Sequence, residues 1–355
     1  MDWTELEMGG RVTALRRGLC AGVGNDGRAF TCDLAAPDPS PVAYDEIVLD
    51  SFGVVGASPG TEAWLTGRGA DGRLHLFGVR PDSVGTPDES VAHSLEAIGA
   101  MWAAPVLDAR AAHLLASDLQ EGTWRLRAYP LNAAIAGGSA RGRGFALGSE
   151  PDTSLSFSFY EKGPLVVAGR IGDGPSPAAA AWTLSDLDGA PPAGRDDGWR
   201  RVHLAPSPTE LTSVAVGHGS GRIWVAGRVD ARPVAWEVLQ LPFRGLVRSA
   251  AVTMPRIELA PESFETNGGR AVVLVEETPG DQPVFVAATT RGNRLCWHDG
   301  SEWKAIPAPD GRLEAACSSG GAVHVLLGAS VCACASPSTR TVHGRPCTRA
   351  WWCRR

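Results

Sequence analysis

Between Arg222 and Val238 a continuous apolar run is followed by a polar turn and a second, proline-led run: R-I-W-V-A-G-R-V-D-A-R-P-V-A-W-E-V. An apolar run of only a few residues between turn signals predicts a strand buried on both faces. Gly and Asp in the turn supply the positive φ that a tight hairpin needs. Pro233 has no N–H, which places it at the first residue of the second strand. The unit recurs at Glu62–Val79 and Pro164–Leu184, and in looser form at Leu19–Leu34, Ala112–Leu131 and Pro283–Asp299. A last copy starts at Ala322 and degenerates after Gly328, making seven. One hairpin cannot bury two apolar faces by itself. The copies are therefore expected to stack, and closing the stack into a ring would leave few exposed edges.

Extended on both sides, each copy gives four strands. First strands are predicted near Val12–Arg16, Phe52–Ala57, Met101–Leu107, Ser154–Tyr160, Leu211–Val216, Arg270–Val275 and Arg312–Cys317. Fourth strands are predicted at Asp45–Leu49, Trp199–Leu204 and Trp303–Ile306, the last two led by an aromatic. Ser90–Met101 has some helical spacing, but the repeat requires a strand and a turn there. The period of about 45 to 60 residues overlaps the ~40–50 of a propeller blade. The last copy has a third strand at Val331–Ala335 and no fourth. Trp3–Leu6, in D-W-T-E-L, has the aromatic-led form of a fourth strand and is expected to pair with Val331–Ala335, closing the ring. The expected fold class is all-β, a seven-bladed propeller over residues 1–335. Residues 336–355 are expected to form a disordered or aberrant tail.

Composition narrows the function classes. The 43 Gly and 26 Pro among 355 residues favour many strands and turns over long helices. A net charge of −6 argues against a nucleic-acid partner bound through phosphate neutralisation. No apolar run approaches the ~18 residues of a membrane span. The start M-D-W-T-E-L-E-M-G-G lacks the apolar segment of a secretory signal, so the cytosol is the expected compartment. In that reducing setting the eight cysteines are expected to be buried thiols, with Cys20 and Cys32 opposite each other across a hairpin.

With its period and four-stranded units, the chain resembles a seven-bladed β-propeller of the degenerate bacterial kind. No copy carries the Gly-His and Trp-Asp pairs of WD40 repeats. Two stretches, L-C-W-H-D-G-S-E-W (Leu295–Trp303) and D-G-R-L-H-L-F (Asp71–Phe77), resemble repeats of tectonin-like and fucose-binding propeller lectins. That resemblance implies a sugar pocket formed by aromatic and polar blade edges.

The most regular polar feature is an arginine just past the second strand: Arg68, Arg170 and Arg228 each follow Gly, and Arg291 lies nearby. Such a cluster suits a carboxylate or phosphate through paired donors. Local pairing with Asp71, Asp173 and Asp230 accounts for three of the four more simply. Inter-blade loops on the same face add Glu150, Asp152, Glu210, Glu262, Glu265 and Asp310, a mixed-charge surface suited to a protein partner. The residues expected to bind are Arg68, Arg170, Arg228, Arg291, Glu210 and Asp310.

An arginine cluster on a propeller is also similar to sialidases, which need a tyrosine nucleophile with a carboxylate partner. Tyr44, Tyr129 and Tyr160 all lie outside the charged loops, and the Asp-box fails because Trp297 stands where its serine belongs. No P-loop, paired-His zinc motif or nucleophile elbow is present, and His218 is expected in a turn. Cys332, Cys334, His343, Cys347 and Cys353 match no common zinc spacing. The expectation is a monomeric, non-enzymatic binding module with no catalytic residue, metal or cofactor. Its partner is a protein; a glycan is the alternative and glycoside hydrolysis a distant third.

Overall fold

A computed structural model describes residues 2–44 apart from 17 and 37, the strands given below as far as residue 241, and residues 245–260, 270–276 and 282–337. Among these residues every regular element is a β-strand. After β1 (Thr4–Leu6), six antiparallel sheets follow, each from one stretch of chain with its strands in sequence order. They comprise β2 (Gly10–Arg16), β3 (Leu19–Gly24), β4 (Ala29–Asp33) and β5 (Val42–Tyr44); β6 (Gly53–Val54), β7 (Ala63–Arg68), β8 (Leu74–Val79) and β9 (Ala92–Ser94); and β10 (Trp102–Leu107), β11 (Ala112–Gln120), β12 (Thr123–Pro130) and β13 (Arg143–Gly148). The others comprise β14 (Ser156–Phe159), β15 (Leu165–Ile171), β16 (Ala178–Leu184) and β17 (Trp199–Ala205); β18 (Val214–Gly219), β19 (Arg222–Val229), β20 (Arg232–Leu241) and β21 (Gly245–Thr253); and β22 (Val272–Leu274), β23 (Phe285–Thr289), β24 (Gly292–His298) and β25 (Trp303–Pro307).

The remaining sheet is composite. β26 (Leu313–Ser319), β27 (Ala322–Leu327) and β28 (Ser330–Ala335) supply three strands, and β1 adds the fourth. The register is Thr4↔Ala333, Glu5↔Cys332 and Leu6↔Val331, which is the pairing expected for Trp3–Leu6. Trp3 packs on a buried core, as do Trp297 and Ile306, and its indole Nε1 donates to the Pro307 carbonyl at 2.9 Å.

The apolar runs behave as their pattern predicts. Trp224, Val225 and Ala226 are buried, and so are all five residues of β23. Their side chains fill cores between neighbouring sheets. One core joins Trp224 and Ala235 to Val272, Phe285 and Cys296. A second joins Val286 and Leu295 to Val325 and Cys332. A third joins Val12, Cys20 and Phe30 to Cys317, Leu326 and Val331. The composite sheet thus has a core on both faces. In the β3–β4 turn Gly27 holds φ at 83°, the positive value the hairpin required.

Several boundaries move. The fourth strand of the first sheet is Val42–Tyr44, earlier than the expected Asp45–Leu49; residues 45–50 lie outside the described residues. The chain turns back early because Asp33 caps the bend, its Oδ1 accepting from the Ala35 N–H at 2.8 Å. Pro233 is the second residue of β20, since Arg232 already pairs with Val229. His218 lies in β18 opposite Ile223 instead of in a turn, because the hairpin ladder extends to Gly219–Arg222. The Ser90–Met101 stretch contributes β9, as the repeat required. Residues 338–355, most of the expected tail, lie outside the described residues.

Candidate functional site

In an antiparallel sheet the start of the first strand and the end of the second share one edge. That edge collects the predicted arginines. Arg68 closes β7 opposite Leu74, Arg170 sits near the end of β15 opposite Ala179, and Arg228 near the end of β19 opposite Pro233. All three lie inside the strand ends and not past them, because the hairpin ladders run further into the turns than the apolar pattern suggested. Their side chains, Glu210, and the acidic residues Asp71, Asp173, Asp230, Glu150, Asp152, Glu262 and Glu265 lie outside the described residues.

The corresponding turn of the β22–β25 sheet is described in full. Thr289 Oγ1 donates to the Gly292 carbonyl at 2.6 Å and accepts from the Arg291 N–H at 3.2 Å, which fixes an exposed Arg291 at the tip. The buried Asn293 amide donates to the carbonyls of Pro309 and Gly311 at 2.8 and 3.1 Å, pinning the loop that carries Asp310. Asp310 lies over Gly292, where a Cβ would come within 2.5 Å of its Oδ1, and Gly292 has φ at 88°. Only glycine satisfies both demands. Arg291 and Asp310 are therefore brought to the same turn.

Three further charged residues at this edge were missed from sequence. The Arg270 N–H donates to the Leu313 carbonyl at 2.7 Å, joining the starts of two neighbouring first strands. Arg312 Nε lies 2.5 Å from Glu314 Oε1. Burial raises the Glu314 pKa above the usual carboxylate range, opposed by Arg312 and Arg270. The signal was the arginine that opens both Arg270–Val275 and Arg312–Cys317. In the first sheet the same edge carries an exposed Arg28–Asp26 pair at 2.5 Å, and hydrogen bonds from Arg28 hold the Asp26 pKa low. Local Arg–Asp pairing thus does occur in one turn, with the residue order reversed.

An open cleft of about 560 Å³ lies at this edge where the composite sheet meets the first one. Glu5, Glu7, Met8, Asn25 and Ser330 are among its lining residues, and none of the six predicted site residues is. Backbone bonds from Asn25 N–H to the Gly9 carbonyl and from Val12 N–H to the Ala329 carbonyl hold its walls.

At the opposite edge, the lectin-like stretch Leu295–Trp303 forms β24 and its turn into β25. Asp299 Oδ1 accepts from the backbone N–H groups of Ser301 and Glu302, which hold its pKa well below the usual range. Trp303 packs edge-on against Phe285 and His298, with ring centroids 5.7 and 5.3 Å apart, and Trp297 packs on the neighbouring core. The acid and the aromatics of this stretch hold the turn and the sheets together. Among the described residues no three His, Cys, Asp or Glu side chains gather as a metal-holding group. Cys332 and Cys334 are buried strand residues of β28.

No protein-family model matches the chain, and no curated protein does. Solved structures do. The BP39L lectin from Burkholderia pseudomallei superposes with a TM-score of 0.55 at 14% identity, over 92% of this chain and 94% of the lectin. The β-propeller domain of Cps50 (Swd1) from Myceliophteria thermophila gives 0.54 at 10% identity, over 94% of this chain and all of that domain. The fold is of the β-propeller kind. At these identities the likeness extends to the fold alone, so a function for this propeller has to come from its own residues.

Proposed function

We propose that the seven sheets are the blades of one seven-bladed β-propeller, closed by β1, that works in the cytosol as a non-enzymatic binding module. Its partner is a protein that docks on the edge where second strands end. Ring closure is supported by the order of sheet contacts. β2 lies against β6, β6 against β10, β13 against β15 and β17, β14 against β18, β18 against β22, β22 against β26, and β26 against β2.

One observation carries the binding reading. Arg68, Arg170, Arg228 and Arg291 occupy equivalent ends of four second strands. Asp310, Arg312 and Glu314 extend that edge as a mixed-charge surface. Arginine beside carboxylates gives paired, directional donors that select a complementary charged partner. The glycan reading ranks second because the described lectin-like stretch commits Trp303 and Asp299 to packing and to the turn.

The test is quantitative affinity capture with mass spectrometry, comparing the parent with the Arg68→Glu/Arg170→Glu/Arg228→Glu variant at physiological salt. Partners held by this surface should drop out of the variant while its melting temperature stays put. Capture that survives the triple change would reject the surface. A glycan array on both proteins separates the readings, since a sugar ligand would register there.

A further inference from the structure

Among the described residues, sulfur gathers between the first sheet and the composite one. The chain has eight Cys and four Met, and four of these twelve lie in the ten-residue buried cluster between the first sheet and the composite one: Met8, Cys20, Cys32 and Cys317. Cys20 and Cys32 sit directly opposite each other on β3 and β4. In that position their Cβ atoms are about 4.5–5.5 Å apart and on the same face. The Cys20 Sγ is 3.8 Å from the Met8 Sδ. Both cysteines are fully buried, while Met8, 6% exposed, also lines the cleft of about 560 Å³. Of the three, Met8 alone lines the cleft.

We propose that Cys20, Cys32 and Met8 form a binding site for a soft monovalent cation of the copper(I) type, reached through the cleft beside Gly9 and Asn25. Three sulfurs each ~2.3 Å from a common ion stand about 4 Å apart, close to the contact seen between Cys20 and Met8. The donor set decides the metal. Two thiols and a thioether suit a soft d¹⁰ ion, and a thioether is a poor ligand for zinc. Each cysteine that ligates releases its proton to solvent, no electron is transferred, and the ion keeps its charge. Bound there, the ion would fasten the loop after β1 to the β3–β4 hairpin. The cleft opens on the same edge as the proposed partner surface, but the site uses none of that surface's named residues.

The experiment is an anaerobic titration of the full chain with copper(I), in competition with the chromophoric chelator bicinchoninate. The parent should withhold one equivalent per chain from the chelator. Cys20→Ser/Cys32→Ser should lose that equivalent, while Cys296→Ser and Cys347→Ser/Cys353→Ser should keep it. Met8→Leu conserves core volume and should weaken retention by at least the ~10-fold typical of losing even an outer-shell partner. No withheld equivalent in the parent, or one that survives Cys20→Ser/Cys32→Ser, overturns the site. Should the double serine variant fail to fold, Met8→Leu decides, and unchanged affinity there overturns the proposal as well.

Discussion

The β22–β25 sheet and the composite sheet share an architecture but are held together differently. In the first, Trp303–Pro307 is delivered to the edge by the short Asp299–Glu302 turn, so connectivity keeps the outer strand close. In the second, the outer strand comes from the far end of the chain. Three residue pairs, the Trp3 indole bond and the packing of Trp3 on the buried core around Val325 and Cys332 hold it. An outer strand supplied by a turn costs little loop entropy. One supplied from the other terminus closes a loop of nearly the whole chain, at a larger entropic cost. We therefore expect the composite sheet to be where the molecule's cooperativity is concentrated.

The largest break in that comparison is removal of residues 1–7. Loss of β1 exposes the β28 edge and one side of the core around Val325 and Cys332. We expect destabilisation of several kcal/mol, felt as one cooperative shift of the whole unfolding curve in urea. A deletion that unfolds like the parent would show that the composite sheet needs no fourth strand.

A second difference lies inside the sheets. β23 buries apolar residues up to Thr289, whereas β27 buries His324 at 3% exposure. Neither ring nitrogen of His324 reaches a hydrogen-bond partner at proper geometry, and burial holds its pKa below the ordinary value, offset in part by the Ser319 backbone. The unfolded state therefore binds the proton more readily, and stability falls as pH drops below the unfolded value of ~6.5. His324→Leu should remove that acid sensitivity and leave stability at pH 7.5 equal or up to ~1 kcal/mol higher, since it deletes an unpaired polar group. Unfolding free energies measured from pH 7.5 to 5 check this; an unchanged slope would place the acid response elsewhere.

The smallest effect sharpens the role of Trp3. Trp3→Phe keeps an aromatic on the core while deleting the bond to the Pro307 carbonyl and a small part of the ring, and the lost bond should cost about 0.5–1.5 kcal/mol. Thermal melts of the pair measure it. A loss as large as that of the deletion would mean the indole bond alone fastens β1.

What could be read in advance follows from range. Strands announced themselves through short apolar runs between Gly-Asp turns. The opposition of Cys20 and Cys32 followed from their places on either side of one turn, and β1 from the shared form of D-W-T-E-L and W-K-A-I. These are local patterns. Strand ends were less legible, because pairing carried Arg68, Arg170 and Arg228 into the ladders where a polar residue had suggested a turn. The sulfur cluster was illegible, since the Gly18 N–H that meets Cys317 Sγ at 3.3 Å comes from another sheet. Nothing near either residue in the chain records that neighbour. The charged edge falls between these cases: its arginines repeat visibly, but the joining of Arg270 to Leu313 is a contact between sheets.

The antiparallel sense of β1 and β28 also has a mechanical side. Thr4 faces Ala333, so the chain enters β1 and leaves β28 at the same end of the ladder. A force pulling residue 2 away from residue 337 would load those backbone bonds one after another, as a zipper opens, and not all together in shear. Under tension this sheet should part at low force, even though in urea it is expected to unfold together with the rest of the molecule.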